Sequence, residues 1–306
     1  MIKNIFCIIG VIGVLSTAVP GAEAPKPGTL VPTEANVPYG KDSSQVLDFW
    51  KAKSEKPTPL LFNIHGGSWK SLDKHRMDGV DLKKVLAAGI SVVSIEYRFV
   101  TAARQAGVQP PVKWPLEDAA RALQFVRSKA AEWHIDPKRI VVSGTSAGGC
   151  SSLWLAFHDD LADPKSADLV ARESTRPMAV VANQAQTSLD PVQMREWLPN
   201  IAYGPHAFGL DSFSKFLADR ERLLPWIKAY SPYHLASADD PPVYLFYSTP
   251  PSQKEDAGAS IHSANFGVGL HTRLVELGVK SYLQYPGSQD RKYVNLTDCL
   301  IKVLNL

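Results

Sequence analysis

The run Ile140-Val141-Val142-Ser143-Gly144-Thr145-Ser146-Ala147-Gly148-Gly149 restricts the fold of this chain more than any other stretch. An apolar, β-branched segment ends in a Gly-x-Ser-x-Gly pentapeptide and passes at once into helix-favouring sequence. That is the pattern of a strand, a forced turn and a helix N-terminus. Ser146 stands on the turn. Such a turn strains the backbone and presses neighbouring chain close, so the residues two before and two after must lack a bulky side chain; Gly144 and Gly148 fill both places. The following helix directs free N–H groups and its positive dipole end at any anion formed in front of it.

A second element of this kind lies earlier, in Leu60-Leu61-Phe62-Asn63-Ile64-His65-Gly66-Gly67-Ser68-Trp69. Again an apolar run ends in a glycine pair, which exposes backbone N–H groups where a carbonyl oxygen can approach. With both motifs in place the chain resembles the α/β-hydrolases, in the esterase and lipase branch with a His-Gly-Gly oxyanion motif that includes feruloyl-esterase-like and hormone-sensitive-lipase-like enzymes. The resemblance runs from about Tyr39 to the C-terminus and is carried also by Gln45-Val46-Leu47-Asp48-Phe49-Trp50, Glu96-Tyr97-Arg98 and Asp136-Pro137-Lys138-Arg139-Ile140. It implies an α/β fold with a mostly parallel central sheet, helices on both faces and a helical cap. It also implies a serine carboxylic-ester hydrolase with Ser146 as nucleophile and the N–H groups of Gly67, Ser68 and Ala147 as oxyanion donors. His65 and Gly66 complete the motif, His65 as an orienting residue and not as the base.

At 306 residues and 45% hydrophobic content the chain can bury a full core as one domain. The formal charge of +3 is small and the basic residues are scattered, so nucleic acid is not an expected partner. The sequence has no His-Glu-x-x-His and no paired-cysteine motif, and neither metal nor cofactor is expected. Lys3 precedes an apolar stretch at 5–15 that is too short to span a bilayer, and Ala22-Glu23-Ala24 supplies a small-x-small cleavage pattern. Residues 1–24 therefore read as a secretory signal peptide, 25–38 with its four prolines as an exposed leader, and 39–306 as the hydrolase domain with a cap inserted at about 184–240. The expected location is periplasmic or extracellular, without stable membrane insertion. Of the cysteines outside the signal, Cys150 and Cys299 fall on helices that the resemblance puts on opposite faces of the sheet, and are expected as free buried thiols.

Strand character is read at 45–52, 60–64, 91–97, 178–183, 243–247 and 280–285, and helices at 80–88, 261–277 and 293–304. Another helix is expected to open at Pro115 with Glu117 and Asp118 favoured by its dipole. His134 is read as its cap. The cap insertion shows helical patches at 191–197 and 212–228, and its aromatic residues suit either a pocket or ordinary packing.

The resemblance implies the chain order Ser, acid after the penultimate strand, His after the last strand. Here the last strand leads into Tyr285-Pro286-Gly287-Ser288-Gln289-Asp290-Arg291, and no histidine follows His271. The acid's place reads Ser248-Thr249-Pro250-Pro251-Ser252, with no carboxylate before Glu255 and Asp256. One reading relocates the base to His262, at the start of the helix after the penultimate strand, with Asp290 or Asp256 as the acid. Ile261-His262-Ser263, followed by Phe266-Gly267, resembles a segment of a secreted bacterial subgroup of the same family. His206 and His234 of the cap are further candidates for the base. The other reading is a degenerate hydrolase without a complete triad, acting as a ligand-binding or vestigial protein. A histidine within hydrogen-bond reach of Ser146 separates the two. The expected substrate is a small acyl or aryl ester, with polysaccharide-linked esters in the same class.

Overall fold

Continuous apolar runs, as opposed to alternating ones, mark strands covered on both faces, and this chain has several. The computed structural model describes residues 30–251, 260–289 and 291–305. Its strands are β1 (Glu34–Pro38), β2 (Val46–Trp50), β3 (Thr58–Ile64), β4 (Ser91–Ile95), β5 (Ile135–Thr145), β6 (Ala179–Asn183), β7 (Val243–Phe246) and β8 (Ser281–Gln284). The described residues form one eight-stranded sheet in the order β1-β2-β4-β3-β5-β6-β7-β8. β1 and β2 run antiparallel to their neighbours, and every pairing from β4 to β8 is parallel.

The helix Ala147–Phe157 packs on β3, β5 and β6 together with the helix Lys113–Ser128, and the helix Leu296–Leu304 packs on the same three strands together with Leu82–Ala87. Helices on both faces explain why β3 and β4 are buried along their whole length. The chain places β4 on one side of β3 and β5 on the other. Their carboxyl ends therefore open at a switch point of the sheet, where α/β folds bind ligands. Both glycine motifs leave the sheet there, with Ile64 of β3 opposite Gly144 of β5.

The fold begins before Tyr39. Residues 34–38, expected in an exposed leader, form the edge strand β1, held by the Asn36 N–H donating to Asp48 Oδ1 at 2.8 Å and by Val37 against the core. Pro38 is compatible with an edge strand because its missing N–H breaks no interior ladder. The helix expected at Pro115 opens at Lys113, leaving Pro115 in the first turn, where no N–H is needed. Asp118 does not serve the dipole. It is buried and accepts from Gln45 Nε2 at 2.7 Å and from the Arg98 backbone and guanidinium, tying three segments together. The long helix ends at Ser128, and His134, read as its cap, instead closes the separate short helix Ala130–Trp133 in a left-handed conformation.

Between β6 and β7 lie the helices Pro191–Trp197, Phe213–Ala218, Arg220–Tyr230 and Pro232–Leu235 and the 3-10 turn Pro205–Phe208. Phe208, Phe213 and Phe216 are buried in the core, so packing accounts for them. Cys150 and Cys299 are both buried and unbridged. Among the described residues no helix is long and apolar enough to cross a membrane. The signal-peptide reading falls outside the described residues.

Candidate active site

Ser146 joins β5 to the helix Ala147–Phe157 with φ 57° and ψ −122°, a strained conformation for a residue bearing a side chain. Its surroundings hold it there. The Ser146 N–H donates to Asn183 O and the Cys150 N–H to Ser146 O, each at 2.9 Å. A Cβ on Gly144 would lie 2.4 Å from the Gly148 carbonyl carbon, and one on Gly148 would lie 2.1 Å from Ile64 O. Neither position admits any other residue without backbone movement, which is the requirement read from the pentapeptide. Ala147 begins the helix, so its N–H has no acceptor within it.

The loop after β3 crosses in front of this turn. A Cβ on Gly66 would come within 2.7 Å of Thr145 O and 3.5 Å of Ser146 Cβ, so backbone lies against backbone. Gly67, Ser68 and Trp69 all have positive φ, at 94°, 54° and 56°. Two non-glycine residues in that region carry strain of about 1–3 kcal/mol each, offset by what anchors them. The Trp69 indole is buried and donates to Ser151 Oγ at 2.9 Å. The Tyr97 hydroxyl lies 2.9 Å from His65 O and 3.0 Å from Gly66 O, and its ring stacks on His65 at 4.2 Å. His65 is buried, with its ring nitrogens 2.8 Å from Gly66 O and 3.1 Å from Glu96 Oε1. These contacts account for Glu96 and Tyr97: both brace the loop. They also place His65 as a holder of the loop.

His262 ends a 3-10 turn, Ser260–His262, and its Nε2 lies 2.9 Å from Ser146 Oγ. Burial lowers its pKa below the ordinary imidazole value of 6.5, so it is neutral at neutral pH. The segment after β6 holds this turn and the helix Ala264–Glu276 beyond it. Gln186 Nε2 donates to Ile261 O, Thr187 Oγ1 donates to Phe266 O at 2.7 Å, and Asn265 Nδ2 donates to Trp197 O at 2.7 Å. Gln186 is fully buried, and its Oε1 has no partner among the described residues. Among the described residues no carboxylate is ion-paired with His262. Asp256 and Asp290 lie outside the described residues.

The cap histidines are elsewhere. His206 packs beside Trp69 at 6.1 Å and Tyr203 at 5.1 Å, and burial lowers its pKa to about 4. His234 faces Asp190 at 3.7 Å. His271 bonds Ser281 Oγ, His158 bonds Asp159 O, and His75 faces Asp48. Sequence reasoning missed Gln186, for which no spacing or motif gives a signal.

A profile of the BD-FAE family matches residues 47–252, well over half of the chain and both glycine motifs. The chain belongs to the BD-FAE family. Among relatives, it is similar to esterase LipC of Mycobacterium tuberculosis, 32% identical over 115 residues, which is 36% of this chain and 26% of that protein. The match thus spans about a quarter of that relative's length. In structure it resembles an acetyl ester-xyloside bifunctional hydrolase from Caldicellulosiruptor lactoaceticus, with TM-score 0.63, 23% identity and coverage of 84% of this chain and 86% of that one. It also resembles a truncated carbohydrate esterase from gut microbiota, with TM-score 0.66, 19% identity and coverage of 93% and 100%. These likenesses are of fold, the α/β-hydrolase fold. In this BD-FAE member the histidine beside the elbow serine follows β7 and precedes β8.

Proposed function

We propose that the chain is an exported serine carboxylic-ester hydrolase, and the observation that carries this reading is the 2.9 Å contact of His262 Nε2 with Ser146 Oγ. Neutral His262 takes the hydroxyl proton as Ser146 Oγ bonds to the ester carbonyl carbon. The carbonyl oxygen becomes an anion, received by the N–H groups of Ala147, Gly67 and Ser68, donors of a kind worth about 10²–10³ in rate. The C–O bond to the alcohol then breaks, and His262 gives its proton to the departing oxygen. Water, deprotonated by His262, attacks the acyl-enzyme and releases the acid and free Ser146.

Export rests on the charged, apolar and small-x-small order of residues 1–24. A small acyl group on a carbohydrate is the substrate favoured, because fold neighbours include an acetyl ester-xyloside hydrolase and a carbohydrate esterase. The competing reading, a catalytically impaired binding protein, draws on the lack of a carboxylate paired with His262 among the described residues. Steady hydrolysis of p-nitrophenyl acetate, lost in both Ser146→Ala and His262→Ala, is the expected result. Turnover by wild type no faster than by Ser146→Ala selects the impaired reading. Loss in Ser146→Ala alone overturns His262 as the base.

A further inference from the structure

Three backbone N–H groups receive the oxyanion in the proposed mechanism, and one of them, that of Ser68, has a cap side chain beside it. The side chain is Tyr203, which lies between the helix Pro191–Trp197 and the 3-10 turn Pro205–Phe208. Tyr203 is only 7% exposed, and its hydroxyl has no hydrogen-bond partner among the described residues. The Ser68 side chain stands next to that hydroxyl, outside hydrogen-bond geometry, and Cys150, one turn into the helix that Ala147 begins, shares its surroundings. The phenol oxygen is therefore flanked by both segments that supply oxyanion donors, the loop after β3 and the start of the helix after β5.

The ring is fixed in place. Trp69, held by its indole bond to Ser151 Oγ, lies 6.5 Å away, and His206 meets the Tyr203 ring edge-on at 5.1 Å. The next residue, Gly204, has φ 107°, and a Cβ there would come within 3.1 Å of Phe216 and 3.3 Å of Met194. The turn that follows is tied to the rest of the domain by the Val112 N–H donating to Ala207 O at 3.0 Å.

Packing accounts for the ring and not for the hydroxyl. Phenylalanine would fill the same space without burying an unpaired polar group, which folding disfavours. Burial also raises the pKa of the phenol, so it stays a proton donor across the pH range in which a neutral imidazole works. A buried donor without an acceptor fits a site where the acceptor arrives with the substrate. A hydrocarbon acyl chain brings no acceptor. The oxygen that the reaction delivers to Ser68 is the ester carbonyl oxygen, which accepts most strongly once it carries negative charge.

We propose that Tyr203 is a catalytic residue, its hydroxyl a further oxyanion donor that the cap supplies beside the N–H groups of Gly67, Ser68 and Ala147. This assignment rests on the esterase reading. The test compares wild type, Tyr203→Phe and Ser146→Ala in kcat and KM for p-nitrophenyl acetate and in melting temperature. Loss of a group that acts on the transition state alone lowers kcat and spares KM, and loss of an unpaired buried hydroxyl does not destabilise the fold. Expected in Tyr203→Phe are a kcat lower by at least about tenfold, a KM within about threefold, and a melting temperature equal to or above that of wild type. Unchanged kcat overturns the assignment. So does a rise in KM alone, which marks a pocket wall, and so does a fall in kcat matched by a lower melting temperature, which marks a structural role. These three outcomes leave the esterase reading standing, whereas wild-type turnover no faster than that of Ser146→Ala overturns that reading and the donor with it.

Discussion

A serine hydroxyl is a weak nucleophile until a neutral imidazole takes its proton, so in the proposed mechanism the protonation of His262 would set the pH range in which Ser146 works. Burial favours the neutral ring and lowers its pKa. Acid inactivation is therefore expected with a midpoint below 6.5, read from kcat/KM against pH at low ionic strength; a midpoint above 6.5 contradicts it. The turn carrying His262 depends on Gln186, whose amide holds Ile261 O. Gln186→Leu removes the donor to that part-buried carbonyl, a cost of about 1 kcal/mol, and is expected to lower kcat on p-nitrophenyl acetate more than it raises KM. At this scale the sequence was uneven. Ser146 announces itself through its glycines, and His262 was found because no histidine followed His271. Gln186 left no trace, because a buried amide that grips a backbone carbonyl has no periodicity and needs no particular neighbours.

The elements that matter most are the two turns leaving β3 and β5, which touch backbone to backbone. Gly148→Ala would put a methyl group 2.1 Å from Ile64 O, with no flexible side chain able to yield. The expected result is a clear drop in melting temperature, corresponding to at least about 1–3 kcal/mol, with loss of esterase turnover. Gly89→Ala is the control: Gly89 has φ +77° but nothing within 4 Å of the added carbon, so only backbone strain of about 1 kcal/mol is expected. Calorimetry on the two variants ranks them. Most strands were legible within a residue or two and most helices within three, because apolar runs and punctuation are local signals, but the start of β5 and the short helix Val100–Gln105 were not read. β1 was not, since its prolines read as loop and its partner supplies the pairing. Asp118 was assigned to a helix dipole because its true partners, Gln45 and Arg98, are distant in sequence.

Across the whole molecule, acid stability records which groups fold away from water. His206 is driven by burial, and secondarily by Lys70, from 6.5 to about 4. Between those values the unfolded chain binds more protons than the folded one, so lowering the pH through that window destabilises the fold, by about 3 kcal/mol at most. Asp240 acts in the opposite sense, since burial raises its pKa to about 6 and its folded form gains protons first. The net profile mixes the two, so the measurement is a difference. The melting temperature of His206→Phe minus that of wild type is expected to rise as pH falls from about 6.5 to 4, and a flat difference contradicts it.

The two buried cysteines give the protein built-in reporters of its own opening. Cys150 lies one turn into the helix behind Ser146, and Cys299 lies in the closing helix that packs with Leu82–Ala87. Burial raises both thiols well above their ordinary pKa, so neither reacts while its helix stays docked. In chain freed of residues 1–24, the rate at which each thiol is modified measures how often its part of the molecule detaches from the sheet. Comparing the two rates tells whether the nucleophile's helix and the C-terminal helix come away together or one at a time.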